Sequence, residues 1–370
     1  MPAANALPKA ITVIETSRQM SLIRFSPSGR FLLSAGRDRL IHRWDFAAMM
    51  FPPADALVPS KSSDPPASPL VPELPALAGH DGWVTQVAFD PQSRRFFTTD
   101  SWGRLIGWNA TTEPPTPVWN LPAAHNCWIR NLAVSPNGEQ VATCGMDKAI
   151  RLWSASDGKL LREFAGQPDE IYSLAFHPDG KSLVAGDLKG IVRQFDLATN
   201  TVAREFDAKV LYLYDRIQDV GGVRVLAFDA AGKTLAAAGI QPTSGGFVQG
   251  GALVKFFDWE SGKELQTLKL GDNNLGFAHD LAWHPAGYWI GVCSGQPGQG
   301  DFFLHRTGEE QPFFVQALPN CHSIALHPDG SRFAVIANAG PFGQMKSMAR
   351  EGMYPGNTSP IHLFELTAPL

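Results

Sequence analysis

The chain has 370 residues, of which 44% are hydrophobic and 18% charged, with 35 glycines and 29 prolines. That much apolar material argues against disorder, and the glycine and proline content suits many short strands joined by tight turns. A net charge of −4 without a basic stripe argues against a nucleic-acid or membrane-surface partner.

The N-terminal stretch MPAANALPKAITVIETSRQ lacks a basic segment followed by an apolar run of signal-peptide length. No stretch reaches the length of a membrane-spanning helix, so a cytoplasmic location is expected by default. Within that stretch, Ala10 to Glu15 reads as a spare strand. The cysteines, Cys127, Cys144, Cys293 and Cys321, are too few and too scattered for a disulfide framework or a thiolate zinc site. Reduced, mostly buried thiols are expected.

From there one pattern recurs along the chain: an apolar β-like run that ends in a turn. The copies end at Phe25 to Gly29, Phe89 to Ser93, Val134 to Gly138, Phe176 to Gly180, Phe228 to Gly232, Trp283 to Gly287 and Leu326 to Gly330. Proline at the second turn position presets φ, and glycine tolerates the end of the turn. Two more strand-like runs follow each corner, clearest in EQVATCG, KAIRLWSA and KLLREFAG of the third copy. Four short antiparallel strands per unit and a period of roughly 40–45 residues describe one blade of a propeller.

The pairs Gly79-His80 and Ala124-His125, and the runs His42 to Asp45, Arg151 to Ser154 and Val192 to Asp196, resemble the GH and WD signatures of the WD-repeat family. The resemblance covers nearly the whole chain. It implies an all-β, seven-bladed β-propeller of four-stranded antiparallel blades, and it says little about function, because the family serves many tasks. It also implies a structural hydrogen-bond tetrad in the third copy: His125, Thr143, Asp147 and Trp153. The first copy keeps Ser34, Asp38 and Trp44 without a GH. The second keeps His80, Thr98 and Trp108, with Trp102 where the aspartate is expected. Phe195, Phe257 and Phe364 replace the tryptophan later, so those blades must rely on packing. The last unit offers three strands, and the N-terminal run around Ala10 to Glu15 is expected to supply the fourth, pairing residues near 12 with residues near 363.

A single propeller over 1–370 is expected, with a Pro-rich insertion at 47–75 between the third and fourth strands of the first blade. Further insertions fall at 208–221, 241–251, 296–300 and 340–359. All four emerge on one rim and carry Tyr212, Tyr214, Arg216, Phe247, Phe342, Met345, Met348, Met353 and Tyr354. The same rim receives the second position of each innermost strand: Ser21, Thr85, Arg130, Tyr172, Arg224, His279 and His322. Such a ring suits an acidic peptide or an oxyanion.

No nucleophile elbow or phosphate loop occurs, so no enzyme and no cofactor are expected. The alternatives are a metal-dependent hydrolase or lactonase-like enzyme, or a small-molecule sensor, using His279 and His322 with Asp280 or Asp301. The favoured expectation is a monomeric interaction scaffold. It would bind an unidentified protein or peptide through Arg130, Tyr172, Arg224, His279 and His322, with Tyr214 and Arg216 at the rim.

Overall fold

Each of the seven corners closes as a turn, its fourth residue donating a backbone N–H to the carbonyl of the first: Gly29 to Ser26, Ser93 to Asp90, Gly138 to Ser135, Gly180 to His177, Gly232 to Asp229, Gly287 to His284 and Gly330 to His327. In a computed structural model that describes residues 7–16, 18–50, 70–244, 249–338 and 358–367, every corner joins the first and second strands of a four-stranded antiparallel sheet. The strands of a sheet are called a to d from the channel outward. Blade 3 is typical: Ile129–Val134, Gln140–Gly145, Ile150–Ser154 and Leu160–Phe164. The seven sheets follow one another in sequence order, so the fold is a seven-bladed β-propeller.

Closure joins the two ends of the chain. Leu7–Ile14 forms the d strand of blade 7 beside Ile361–Thr367, and Thr12 pairs with Leu363. The sheet therefore has no open edge between the first and last blades. The core is a ring of seven apolar clusters, one at each blade–blade interface. Met20, Ile23 and Trp44 of blade 1 pack on Ile336, Ile361 and Leu363 of blade 7, for example. Phenylalanines fill the blades that lack the tryptophan: Phe195 lies 4.8 Å from Phe164, Phe257 5.3 Å from Phe206, and Phe364 5.0 Å from Phe333.

The corners also clasp neighbouring blades. His284 Nε2 donates to the Gly330 carbonyl of the next corner at 2.7 Å, and its Nδ1 accepts from the Ala286 N–H at 3.1 Å. Equivalent Nε2 bonds run from His177 to Gly232 (2.9 Å) and from His327 to Gly29 (3.1 Å). The acceptor must be glycine there. A Cβ at Gly232, where φ is +67°, would lie 2.4 Å from His177 Nε2.

The insertions differ among themselves. Blade 1 leaves its c strand at Asp45 and resumes at Glu73–Leu77; residues 51–69 lie outside the described residues. The segment 208–221 is a turn of 3-10 helix and a hairpin, Tyr212–Asp215 paired with Gln218–Gly221. The described parts of 241–251 are strand. Strand Thr234–Ser244 enters it from one side and Gln249–Asp258 from the other, with Gln241 opposite Gly251 and Pro242 opposite Gly250; residues 245–248 lie outside the described residues. Phe247, Phe342, Met345, Met348, Met353 and Tyr354 lie outside the described residues.

Candidate functional site: the channel mouth

The tetrads fix the blades beneath the mouth. In blade 3, Trp153 Nε1 donates to Thr143 Oγ1 at 2.8 Å, Thr143 donates to His125 Nε2 at 2.8 Å, and His125 Nδ1 donates to Asp147 at 2.9 Å. That direction of donation needs a neutral imidazole, and burial holds the His125 pKa below its ordinary value. Burial opposes ionisation of Asp147, but the bonds from His125 and Arg151 outweigh it and hold its pKa at about 2.

Blade 2 corrects one expectation. Trp102 does not stand in for the aspartate; it is 68% exposed. Asp100, two residues earlier, accepts from His80 Nδ1 at 3.0 Å, and His80 Nε2 meets Thr98 Oγ1 at 2.6 Å. Blade 1, without a GH, recruits His42 from its own c strand, 2.7 Å from Asp38.

The ring positions share one backbone device. In six blades the ladder between strands a and b skips a residue, and the skipped residues are Ser21, Thr85, Arg130, Tyr172, His279 and His322. Each therefore sits in a β-bulge, which re-aims a side chain and leaves it without a cross-strand neighbour. Arg224 immediately precedes its strand Val225–Phe228. Ser21, Arg224, His279 and His322 line a central cavity of about 530 Å³ together with Arg24 and Asp280.

These side chains do not form one open ring. Thr85 is tied to Thr99 at 2.9 Å. His279 Nε2 meets the Ser294 carbonyl at 3.1 Å, and His322 Nε2 meets that of Met20 at 3.0 Å. Burial, and then the neighbouring His322, holds the His279 pKa at about 4, so its imidazole is neutral. Arg130, Tyr172 and Arg224 form a stacked belt. Tyr172 is sandwiched between Arg224 (3.8 Å) and Arg130 (4.9 Å). Arg130 also covers Trp128 at 4.6 Å, and Arg224 covers Phe277 at 5.2 Å. Trp128 continues to Trp83, whose ring carries Arg37.

Tyr214 and Arg216 stand apart from the belt on the 212–221 hairpin. Lys189 bonds both Tyr212 and Asp219, and so ties the hairpin to blade 4. Its tip is Arg216-Ile217, both at positive φ (52° and 63°), with Tyr214 60% and Ile217 89% exposed. A β-branched residue in that conformation is strained.

Two residues escaped the sequence reasoning. Ile217 has no motif. Arg24, a lone charge in the inner run MSLIRF, was the available signal; it pairs with Asp280 at 2.8 Å and reaches Ser323, joining blades 1, 6 and 7. Asp280 is thereby committed to Arg24. No cluster of three or more His, Cys, Asp or Glu placed to hold a metal occurs among the described residues, and no helix among them is long and apolar enough to cross a membrane.

Comparison with known proteins places the repeats. Residues 16–45, 72–109, 116–154 and 158–196 match the family model described as WD domain, G-beta repeat. WD repeat-containing protein 90 of Mus musculus is 30% identical over 128 residues, 35% of this chain and 7% of that protein. A guanine nucleotide-binding protein subunit beta of Arabidopsis thaliana is 39% identical over 80 residues, 22% of this chain and 20% of its own length. Subunit beta-1 of Nicotiana tabacum is 25% identical over 216 residues, 57% of this chain and 52% of its own. The chain thus spans about half or less of the length of these relatives.

Proposed function

Taking the chain as the WD-repeat β-propeller that its repeats and blades show it to be, we propose that it is an interaction scaffold whose protein or peptide partner docks on the rim at the channel mouth. The carrying observation is the arginine–aromatic belt on that rim. Aromatic residues and arginine dominate the energetics of protein interfaces, and rigid presentation lowers the entropic cost of binding. The anchored hairpin adds Tyr214, Arg216 and Ile217 as a second exposed contact, apart from the belt. That two of the relatives are named as subunits supports the same reading. His279 and His322 act as struts of the mouth through their backbone bonds, and no catalytic or cofactor role is assigned to them. A monomer in the cytoplasm fits this proposal.

The test is an immobilised-protein capture comparing wild type with a variant carrying Arg130→Ala and Arg224→Ala. Partners captured by the wild type should be lost from the variant, while circular dichroism and melting stay those of a folded propeller. An unchanged capture profile would remove the rim as the docking site.

A further inference from the structure

Several structural arginines elsewhere in the chain are matched with carboxylates, while Arg162 and Arg204 are satisfied by backbone carbonyls. Arg151 reaches Asp147 at 2.7 Å and Glu163 at 2.9 Å; Arg193 reaches Asp187 at 2.6 Å and Glu205 at 2.8 Å; Arg43 forks onto Glu113 at 2.9 and 3.1 Å. The two arginines of the mouth have neither kind of partner in full. Among the described residues, Arg224 has no carboxylate within ion-pair distance. Arg130 has only Glu170, at 4.0 Å, which Tyr172 also engages through its hydroxyl at 3.2 Å. The Nε atoms of both arginines are buried without an acceptor. Burial pushes the Arg224 pKa down, and the charge of Arg130 adds to that despite the help of Tyr172.

Ring faces hold these guanidiniums in place without neutralising them. Stacking occupies the flat faces of a guanidinium and leaves its N–H edges, which match a carboxylate in a two-pronged geometry. Two cations across one tyrosine ring, with one shared and distant carboxylate, are short of negative charge. The chain as a whole carries −4, so the deficit is local to the mouth.

Resting on the docking proposal above, we propose that the partner presents an acidic segment, and that one of its Asp or Glu carboxylates seats on the N–H edges of Arg130 and Arg224 at the opening of the central cavity. The carboxylate supplies the missing counter-charge, and Tyr172 and Phe277 keep the two arginines oriented to receive it.

The probe is fluorescein-labelled hexaglutamate, with hexaglutamine as the uncharged control, followed by anisotropy with the full chain. Hexaglutamate should bind at least about tenfold more tightly than hexaglutamine, and Arg224→Gln should remove that advantage without lowering the melting temperature. Lys159→Gln, which removes an exposed cation paired with Asp157 far from the mouth, should change nothing. Equal binding of the two peptides, equal loss in the Lys159 and Arg224 variants, or displacement of hexaglutamate by inorganic phosphate as readily as by free glutamate peptide would each overturn the acidic-segment proposal. The two proposals separate cleanly. If hexaglutamate shows no preference but partner capture still depends on Arg130 and Arg224, the rim stands and its acidic specificity falls. If capture is indifferent to both arginines, the rim itself falls.

Discussion

Replacing His279 with glutamine should make the protein less sensitive to acid. The imidazole lies in the mouth against His322, Arg224 and Asp280, and burial followed by the His322 interaction lowers its pKa from 6.5 to about 4, against a smaller opposing effect of the Ser294 carbonyl. Above 6.5 it is neutral in the folded and the unfolded chain and contributes no pH dependence. As pH falls below 6.5, the unfolded chain binds a proton that the folded chain refuses, so stability drops by about 1.4 kcal/mol per pH unit until the folded value is reached. At about pH 5 the accumulated loss is about 2 kcal/mol. Glutamine keeps an N–H for the Ser294 carbonyl and does not titrate. Urea unfolding of wild type and His279→Gln at about pH 7.5 and about pH 5 gives two stability differences, and the variant should gain about 2 kcal/mol on the wild type between them. Parallel pH dependences would refute the claim that this imidazole is buried neutral.

Three other outcomes follow from named contacts. Asp100→Ala should cost about 2–3 kcal/mol, because it strands the buried His80 and the N–H groups of Trp102 and Arg104, whereas Trp102→Ala should stay within about 0.5 kcal/mol. Chemical denaturation of both variants measures this directly. Gly232→Ala should destabilise by about 1–3 kcal/mol, through positive φ and the clash with His177, and part of that cost should vanish in a His177→Ala background. A double-mutant cycle reads that coupling, and strict additivity would refute the corner clasp. Replacing Arg216-Ile217 by Asn-Gly suits the turn's two positive φ values and should raise stability by about 0.5–1 kcal/mol, while weakening partner capture if the strained tip makes contact. Paired melting and capture assays check both halves.

The fold was legible because its determinants are local. Each corner is set within four residues, so the run from Phe176 to Gly180 announces its turn whatever surrounds it. The closing strand was legible because an apolar alternating run at the start matched a missing strand at the end. Reading by fixed spacing failed where the backbone changes the count. In blade 2 the tetrad aspartate stands at Asp100 rather than at the position of Trp102, because the end of the b strand reaches the histidine as well as the following turn does. The glycines and Pro242 of 241–251 suggested a loop, yet one strand runs on to Ser244 and the next already begins at Gln249. The Gly250 N–H bonds the Asn273 carbonyl instead of Pro242, and a Cβ at Gly250 would lie 2.2 Å from the Gln241 carbonyl. The glycine permits an approach that other residues forbid.

The mouth was legible only as a position in the repeat, and its chemistry was not. Arginines in a sequence look alike, and whether one is structural depends on what stands opposite. Arg151 faces Glu163 and Arg193 faces Glu205 in equivalent cross-strand registers of blades 3 and 4, so a regular ladder delivers each its counter-charge. Arg130 occupies a bulge, and a bulge removes the opposing residue. Arg224 lies just before its ladder begins. One skipped residue in a strand leaves no mark on composition or periodicity. It nevertheless decides that the Arg130 guanidinium has no carboxylate facing it across the ladder and is steadied by aromatic faces, with Glu170 only at 4.0 Å, whereas Arg151 and Arg193 are spent on holding the fold.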